Sequence, residues 1–278
     1  MQIQAIHFSP FKASGQKMFG STPMVEWQRY VSMNDDGTCD WALRSLLISE
    51  GENHVLIDTG FAAGFPNIID EYKITDFKSA SEVFSFNGIN PDSITHVVHT
   101  HLHLDHCGGS FQKDEKSFKA FFNNAVYYVS KQNIDTALNP EEIEKDSYQP
   151  EIVTAFCENG NKCLVENESY VFPWLELLFF NGHTKGLILP VIHTQKQSIA
   201  FVGDLIPSAA HIILNSASAY DMNPLLCLAE REEFLDEAFE NEYLLFFQHD
   251  STYECCSLKK ENSRVVPAEF FAIENISI

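Results

Sequence analysis

Between His96 and His106 this 278-residue chain places five of its 11 histidines, together with Asp105. The order His101-Leu-His103-Leu-Asp105-His106 has a chemical logic. His101 and His103, two apart, point the same way from an extended segment. Asp105 and His106 fall where the chain begins to turn into a helix, so they face a second point in space from the same loop. Gly108 and Gly109 follow, and glycine lets such a turn pass close to neighbouring backbone. Imidazole nitrogens with a few carboxylates suit Zn²⁺, and also Mn²⁺ or Fe²⁺. A carboxylate can bridge two ions about 3.5–4 Å apart, as two-metal hydrolytic sites require.

Elements must carry these groups to one place, and the chain is patterned for that. Trp41 to Ser49 and His54 to Ile57 predict a hairpin through Glu50-Gly-Glu-Asn53. Ile94 to Thr100, Leu175 to Phe180, Ser198 to Val202 and Tyr243 to Phe247 are further short apolar runs, and Tyr253 to Leu258 with Arg264 to Phe271 predict a last hairpin. Pro224 to Phe239 is the clearest helix, capped by Asn223 and opened by Pro224, with Leu226, Leu228, Phe234, Leu235, Ala238 and Phe239 mainly on one face. Asn139 to Asp146 also predicts a helix start with a solvated face, Asn139 as its cap and Pro140 at its first position. Alternating strands and helices argue for α/β layers. Four of the runs are followed at once by residues that can bind a metal: His101 to His106, then His183, Asp204 and His249. In α/β sheets, loops beyond the strand ends are where ligand sites gather.

Length fits one large domain, taken as residues 1–278, or two small ones, and 45% hydrophobic residues with 23 Phe supply a core. A formal net charge of −21 argues against nucleic-acid partners and anionic membranes. Seven cysteines, an odd number without a Cys-x-x-Cys pair, predict reduced thiols. With neither a signal-peptide pattern at the N-terminus nor a membrane-length apolar run, the expectation is a cytoplasmic protein.

His101-x-His103-x-Asp105-His106, then His183, Asp204 and His249 in that order, resembles the metallo-β-lactamase superfamily. Val55-Leu-Ile-Asp-Thr-Gly60 matches the sequence commonly found upstream in it. The resemblance implies a four-layer αββα sandwich with two facing mixed sheets, α/β (α+β) in class. It implies two divalent metal ions, zinc first with manganese or iron as alternatives. His101, His103 and His183 would hold one ion, Asp105, His106 and His249 the other, and Asp204 would bridge them. A bridging hydroxide would then attack a carbonyl or phosphoryl centre. Dimers are common among such relatives, so a homodimer is expected.

Gly203 to Ile212, Ala219 to Pro224 and the ending Phe247-Gln-His-Asp250 resemble quorum-quenching lactonases and methyl parathion hydrolase-like enzymes. The implied substrate is a small lactone or ester, with phosphoester hydrolysis as the alternative, glyoxalase-like thioester hydrolysis third, and a metal-bound sensor with little turnover as a different class. Known acyl homoserine lactonases carry a tyrosine three residues after the bridging aspartate, and here that position is Pro207. Asp105 is then the candidate proton shuttle, with Tyr220 or His211 as candidate donors to the leaving group.

The remaining residues have plainer readings. Asp58 is expected to orient ligands, and His96 and His99 to be core or supporting histidines. His7, His54 and His193 are read as surface or satisfied core residues, Cys107 as a small buried side chain, and Trp27, Trp41 and Trp174 as core or pocket walls. Lys259-Lys260 is expected at a hairpin tip.

Overall fold

Val55-Leu-Ile57 and Val97-Val98 are apolar at consecutive rather than alternate positions, the pattern of strands covered on both faces. In the computed structural model, which describes residues 1–114 and 117–276, all five are inaccessible to solvent, and the two strands they form pair in parallel. The chain divides into two compact units. One is Met1–Ser9, Leu43–Glu168 and Lys185–Ile188; the other is Pro10–Ala42, Ser169–Thr184 and Leu189–Ile278.

The first unit carries a six-stranded mixed sheet whose spatial order follows the chain: Gln2–His7, Arg44–Glu50, Asn53–Ile57, His96–Val98, Val126–Ser130 and Lys162–Val165. Its first two pairings are antiparallel and the remaining three parallel. The parallel strands deliver Ile57 and Val98 side by side, so the loops after them, beginning at Asp58 and His99, leave the sheet together. A second mixed sheet runs, again in chain order, through Ser169–Phe172, Leu175–Phe180, Leu187–His193, Ser198–Phe201, Leu244–Phe246, Cys255–Glu261 and Arg264–Phe271. Within it Ser198–Phe201 and Leu244–Phe246 are parallel, so the loops bearing Asp204 and His249 emerge from neighbouring strand ends. Among the described residues no helix is long and apolar enough to cross a membrane.

Several sequence-based expectations need correction. The first hairpin is present, but its leading strand is broken. Thr38–Trp41 pairs with Phe11–Ser14 in a small separate sheet, and Arg44–Glu50 starts afresh. The break at Ala42 has a cause: the backbone of Ala42 is hydrogen-bonded to His249. The run from Ile94 to Thr100 is a strand only over His96–Val98, because Thr100 turns out of it to meet Asp58. No helix starts at Asn139. That residue closes the preceding helix Lys131–Leu138, and a 3₁₀ turn, Lys145–Ser147, follows. Lys259 and Lys260 lie inside the strand Cys255–Glu261, and Asn262 and Ser263, both at positive φ, make the turn.

The long helix Pro224–Glu240 has the predicted cap, with the Asn223 side chain accepting the Leu226 N–H. Its covered stripe, however, is Cys227, Arg231, Phe234, Leu235 and Ala238. Leu226 is exposed. A buried arginine displaced the apolar stripe that hydrophobicity alone would draw.

Candidate metal centre

In the first unit the histidine-rich stretch leaves its strand, runs extended through His103, and enters the short helix Leu104–Cys107 carrying Asp105 and His106. The two glycines after it are required by contact. A Cβ at Gly108 would stand 2.2 Å from the Ala62 nitrogen, and one at Gly109 2.1 Å from the Thr59 carbonyl oxygen. The motif is thus pressed against the Asp58-Thr-Gly60 turn, and the Thr59 N–H donates to the His106 carbonyl at 2.7 Å.

Asp58 is wholly buried at positive φ and works on both sides of the loop. It accepts the Thr100 N–H and hydroxyl, each at 2.8 Å, and lies 2.8 Å from His106 Nδ1. Burial opposes ionisation of Asp58, but the charge and hydrogen bond of His106, and then those of His99, hold its carboxyl below the usual range. With Nδ1 taken, His106 presents Nε2. His101 has Nδ1 beside the Thr100 hydroxyl at 3.0 Å and likewise presents Nε2. His103 is reversed: its Nε2 meets Glu144 at 3.1 Å, which leaves Nδ1 facing inward. The rings of His101 and His103 stand 4.4 Å apart and those of His101 and His106 3.9 Å apart. His101 and His103 offer donor nitrogens within 4.8 Å of each other, as do His106 and the partly exposed Asp105 with its carboxylate.

In the second unit three separate loops supply one group each. His183 follows the strand Leu175–Phe180, Asp204 sits in a 3₁₀ turn, Gly203–Leu205, and His249 follows Leu244–Phe246. The Asp204 carboxylate is shared. Oδ2 lies 3.0 Å from His183 Nε2 and Oδ1 3.0 Å from His249 Nε2. Each imidazole is fixed from behind, His183 Nδ1 by Asp221 at 2.9 Å and His249 Nδ1 by the Ala42 carbonyl at 3.0 Å. Phe11 packs edge-on against the His249 ring at 5.5 Å. Burial alone would keep His183 neutral, but the charge and hydrogen bond of Asp204, with those of Asp221, push its pKa up to about 10. The surroundings of this imidazole therefore favour positive charge strongly.

The donors in each unit are of the kind that hold divalent ions. Histidines that offer one nitrogen while the other is held by a carboxylate, hydroxyl or carbonyl are the usual form of protein-bound imidazole ligands. A carboxylate divided between two such histidines suits a bridging position.

The other candidate residues fall out differently. His211, expected as an alternative proton donor, is wholly buried. Its Nδ1 lies 2.8 Å from the Ser208 hydroxyl and its Nε2 2.9 Å from the Met18 carbonyl oxygen, and the ring stacks on Phe19 at 4.6 Å. Burial first, and the charge of Arg231 second, hold its pKa down to about 3. It is a neutral packing histidine with both ring nitrogens engaged. Tyr220 is half-buried, with Lys17 5.9 Å from its ring centre. His99 is covered and bonded to Ser110, His193 is satisfied by Ser198 and Glu176, and burial raises the Cys107 thiol far above its ordinary value.

Residues that sequence reasoning missed include Glu144, Asp221 and Asn133, whose side-chain oxygen accepts the Leu102 N–H at 2.8 Å between His101 and His103. Glu144 falls in the stretch whose pattern predicts a solvated helical face, yet it is 3% exposed. Asp221 does carry a signal: an acid two residues before a helix cap, inside the segment after Asp204.

The metallo-β-lactamase superfamily model matches residues 44–249. N-acyl homoserine lactonase AiiA of Bacillus thuringiensis subsp. kurstaki is 22% identical over 219 residues, spanning 75% of this chain and 81% of that protein. The structure of a probable metal-dependent hydrolase from Staphylococcus aureus superposes with a TM-score of 0.87 at 20% identity, covering 99% of this chain and 98% of the other. AidC, described as a dizinc quorum-quenching lactonase, superposes with a TM-score of 0.79 at 18% identity over 97% and 95% of the two chains. Mixed α/β layers, the six- and seven-stranded sheets and the extent of these matches agree, and the chain belongs to the metallo-β-lactamase superfamily of metal-dependent hydrolases.

Proposed function

We propose that the protein is a dinuclear metal-dependent hydrolase that opens a lactone of the acyl homoserine lactone kind or cleaves a small ester. The observation that carries this is Asp204, one carboxylate divided at 3.0 Å between His183 and His249. By the superfamily resemblance, His101, His103 and His183 would hold one ion, Asp105, His106 and His249 the other, and Asp204 would serve both. Zinc is the preferred metal, with manganese or iron also suited to the nitrogen and oxygen donors. When bound, the ions acidify a water to serve as nucleophile and polarise the scissile carbonyl.

The chain's own groups do the rest. Asp58, Glu144, Asp221 and the Ala42 carbonyl hold the imidazoles in orientation, which avoids rearrangement during the reaction. Asp105 lies at the rim, its side chain 19% exposed, and can relay a proton. Tyr220 is the remaining hydroxyl candidate for protonating the leaving alkoxide, since His211 is neutral and fully engaged. A neutral lactone or ester suits a chain with a net charge of −21 better than a phosphodiester, which would call for cations beside the motifs. The lactonase relatives support the substrate class. A cytoplasmic setting is part of this reading, since seven cysteines, an odd number without a Cys-x-x-Cys pair, favour reduced thiols. A homodimer is expected from such relatives.

The test is hydrolysis of a long-chain acyl homoserine lactone by purified protein, before and after metal is stripped and Zn²⁺ or Mn²⁺ restored, beside a phosphodiester control. Lactone turnover that vanishes with the metal and returns with it supports the reading. Turnover of the phosphodiester alone transfers the assignment to phosphoester hydrolysis. Two bound metals without turnover of either overturn the substrate assignment and leave the metal site standing, and ligand-induced stabilisation without turnover points to a sensor.

A further inference from the structure

Two adjacent residues of the long helix Pro224–Glu240 reach the loops that carry His183 and Asp204. We propose that Glu230 and Arg231 are a positioning pair that sets the spacing of these two ligands, an inference that rests on the dinuclear reading above. Neighbours on a helix point in directions about 100° apart, so one dipeptide can serve two loops. Glu230 takes the turn before His183: its Oε1 accepts the Asn181 N–H and its Oε2 the Gly182 N–H, each at 2.8 Å. Arg231 takes the turn after Asp204: its Nε–H donates to the Leu205 carbonyl at 2.8 Å. Its Nη1 donates to the Ser216 carbonyl at 2.6 Å and the His211 carbonyl at 3.4 Å.

The helix meets the first loop in other ways too. A Cβ at Gly182 would lie 2.3 Å from both Cα and N of Cys227, so the turn rests directly on the helix backbone. The Asn223 N–H donates to the Gly182 carbonyl and the Met222 N–H to the His183 carbonyl, at 2.8 and 2.9 Å. His183 is therefore placed by the helix and its lead-in, while Asp204 is tethered one residue away through Arg231.

The chemistry of Arg231 argues for a positioning duty. The guanidinium is 1% exposed, and among the described residues its partners are backbone carbonyls and the Cys227 sulfur rather than a carboxylate. Burying a cation among neutral acceptors is costly, and an apolar side chain of similar volume commonly gives equal or better stability. A rigid fork reaching three carbonyls between Leu205 and Ser216 is what an apolar residue cannot supply. Glu230 presents the same geometry in opposite charge, a bidentate acceptor for two consecutive N–H groups. An amide in its place keeps one bond and turns a donor toward the other N–H.

The experiment compares Glu230→Gln, Arg231→Lys and Arg231→Met with wild type and with Leu235→Ala, a buried apolar change one helical turn further along the same helix. Each protein is stripped of metal, checked by circular dichroism and thermal unfolding, and titrated with Co²⁺ while its visible spectrum is followed. Zn²⁺ affinity is then measured against a chelator. The expected result is a folded apoprotein for the Glu230 and Arg231 variants, a changed Co²⁺ spectrum, and affinity for at least one ion reduced by about 10- to 100-fold, the usual scale for groups that support metal ligands. Leu235→Ala should lower the unfolding temperature and leave spectrum and affinity unchanged.

Wild-type spectra and affinities in all the variants would overturn the pair while leaving the dinuclear reading intact. Loss of the fold in the metal-free Glu230 and Arg231 variants would assign them to folding and overturn it equally. A wild type that takes up no metal would overturn both readings.

Discussion

The two units supply candidate metal-ligating groups by opposite means. In the first, four of them lie within the six residues His101 to His106, on a loop pressed against the Asp58 turn at Gly109, with Glu144 behind His103. In the second, three groups stand on three loops spread from His183 to His249, and each is held by a different partner: Asp221, the Arg231-tethered turn, and the Ala42 carbonyl. The difference is one of where precision comes from. Local sequence fixes the compact cluster, because a few residues of extended chain and one helical turn determine where the side chains point. The dispersed set depends on strand order and on supports remote in sequence.

Asp204 is where the contrast should be sharpest, because its carboxylate is placed between two of the scattered histidines. Asp204→Asn replaces one of the shared oxygens by an amide nitrogen and should lower hydrolysis on the order of 10³-fold, matching the several kcal/mol a metal-polarised centre supplies. Elemental analysis should show fewer than two ions per chain. Two ions retained at unchanged affinity would mean that the compact cluster alone governs loading.

Tyr220→Phe comes next, with a fall in kcat of roughly 10²-fold, the lower scale of a lost general acid. Both ions should stay bound and KM should change little. His211→Asn, by contrast, should lower the unfolding temperature and leave the pH dependence of kcat where it was, since the native ring is already neutral with its pKa near 3. A shift of the pH profile in His211→Asn rather than in Tyr220→Phe would reverse the two assignments.

How much of this was legible in the sequence follows the same division. The seven candidate ligands stand in the sequence as a compact motif followed by single residues at strand ends, and the strands themselves read clearly as apolar runs. Supports were harder. Glu144 lies in a charge-rich stretch, and charge-rich stretches are ordinarily solvated. Only the fold shows that Tyr148 and His103 close over it. Arg231 breaks an apolar stripe that periodicity would otherwise have completed. The strand from Trp41 could not be seen to break, because its interruption serves a histidine more than two hundred residues later. Asp58 was legible because its turn belongs to the same recognisable pattern as the motif.

Glu144 offers the finest test of the division, because it belongs to the compact cluster and yet comes from 41 residues downstream. His103 is the one histidine of the cluster turned to present Nδ1, and Glu144 is what turns it. Glu144→Gln keeps an oxygen able to accept the His103 Nε2–H and the Tyr148 hydroxyl, so orientation survives and only the charge behind the imidazole is lost. The expected loss of Zn²⁺ affinity is about 10-fold, the lower end of the usual range for such supports. Asp221→Asn should cost more, toward about 100-fold. There the amide nitrogen competes for the position facing either His183 or the Ser218 N–H that the carboxylate now accepts at 2.7 Å. Equal losses in the two variants would show that the compact cluster needs its remote support as much as the dispersed set does. A negligible loss in Glu144→Gln beside a large one in Asp221→Asn would show that chain geometry alone holds His103, and that remote supports matter most where ligands arrive singly.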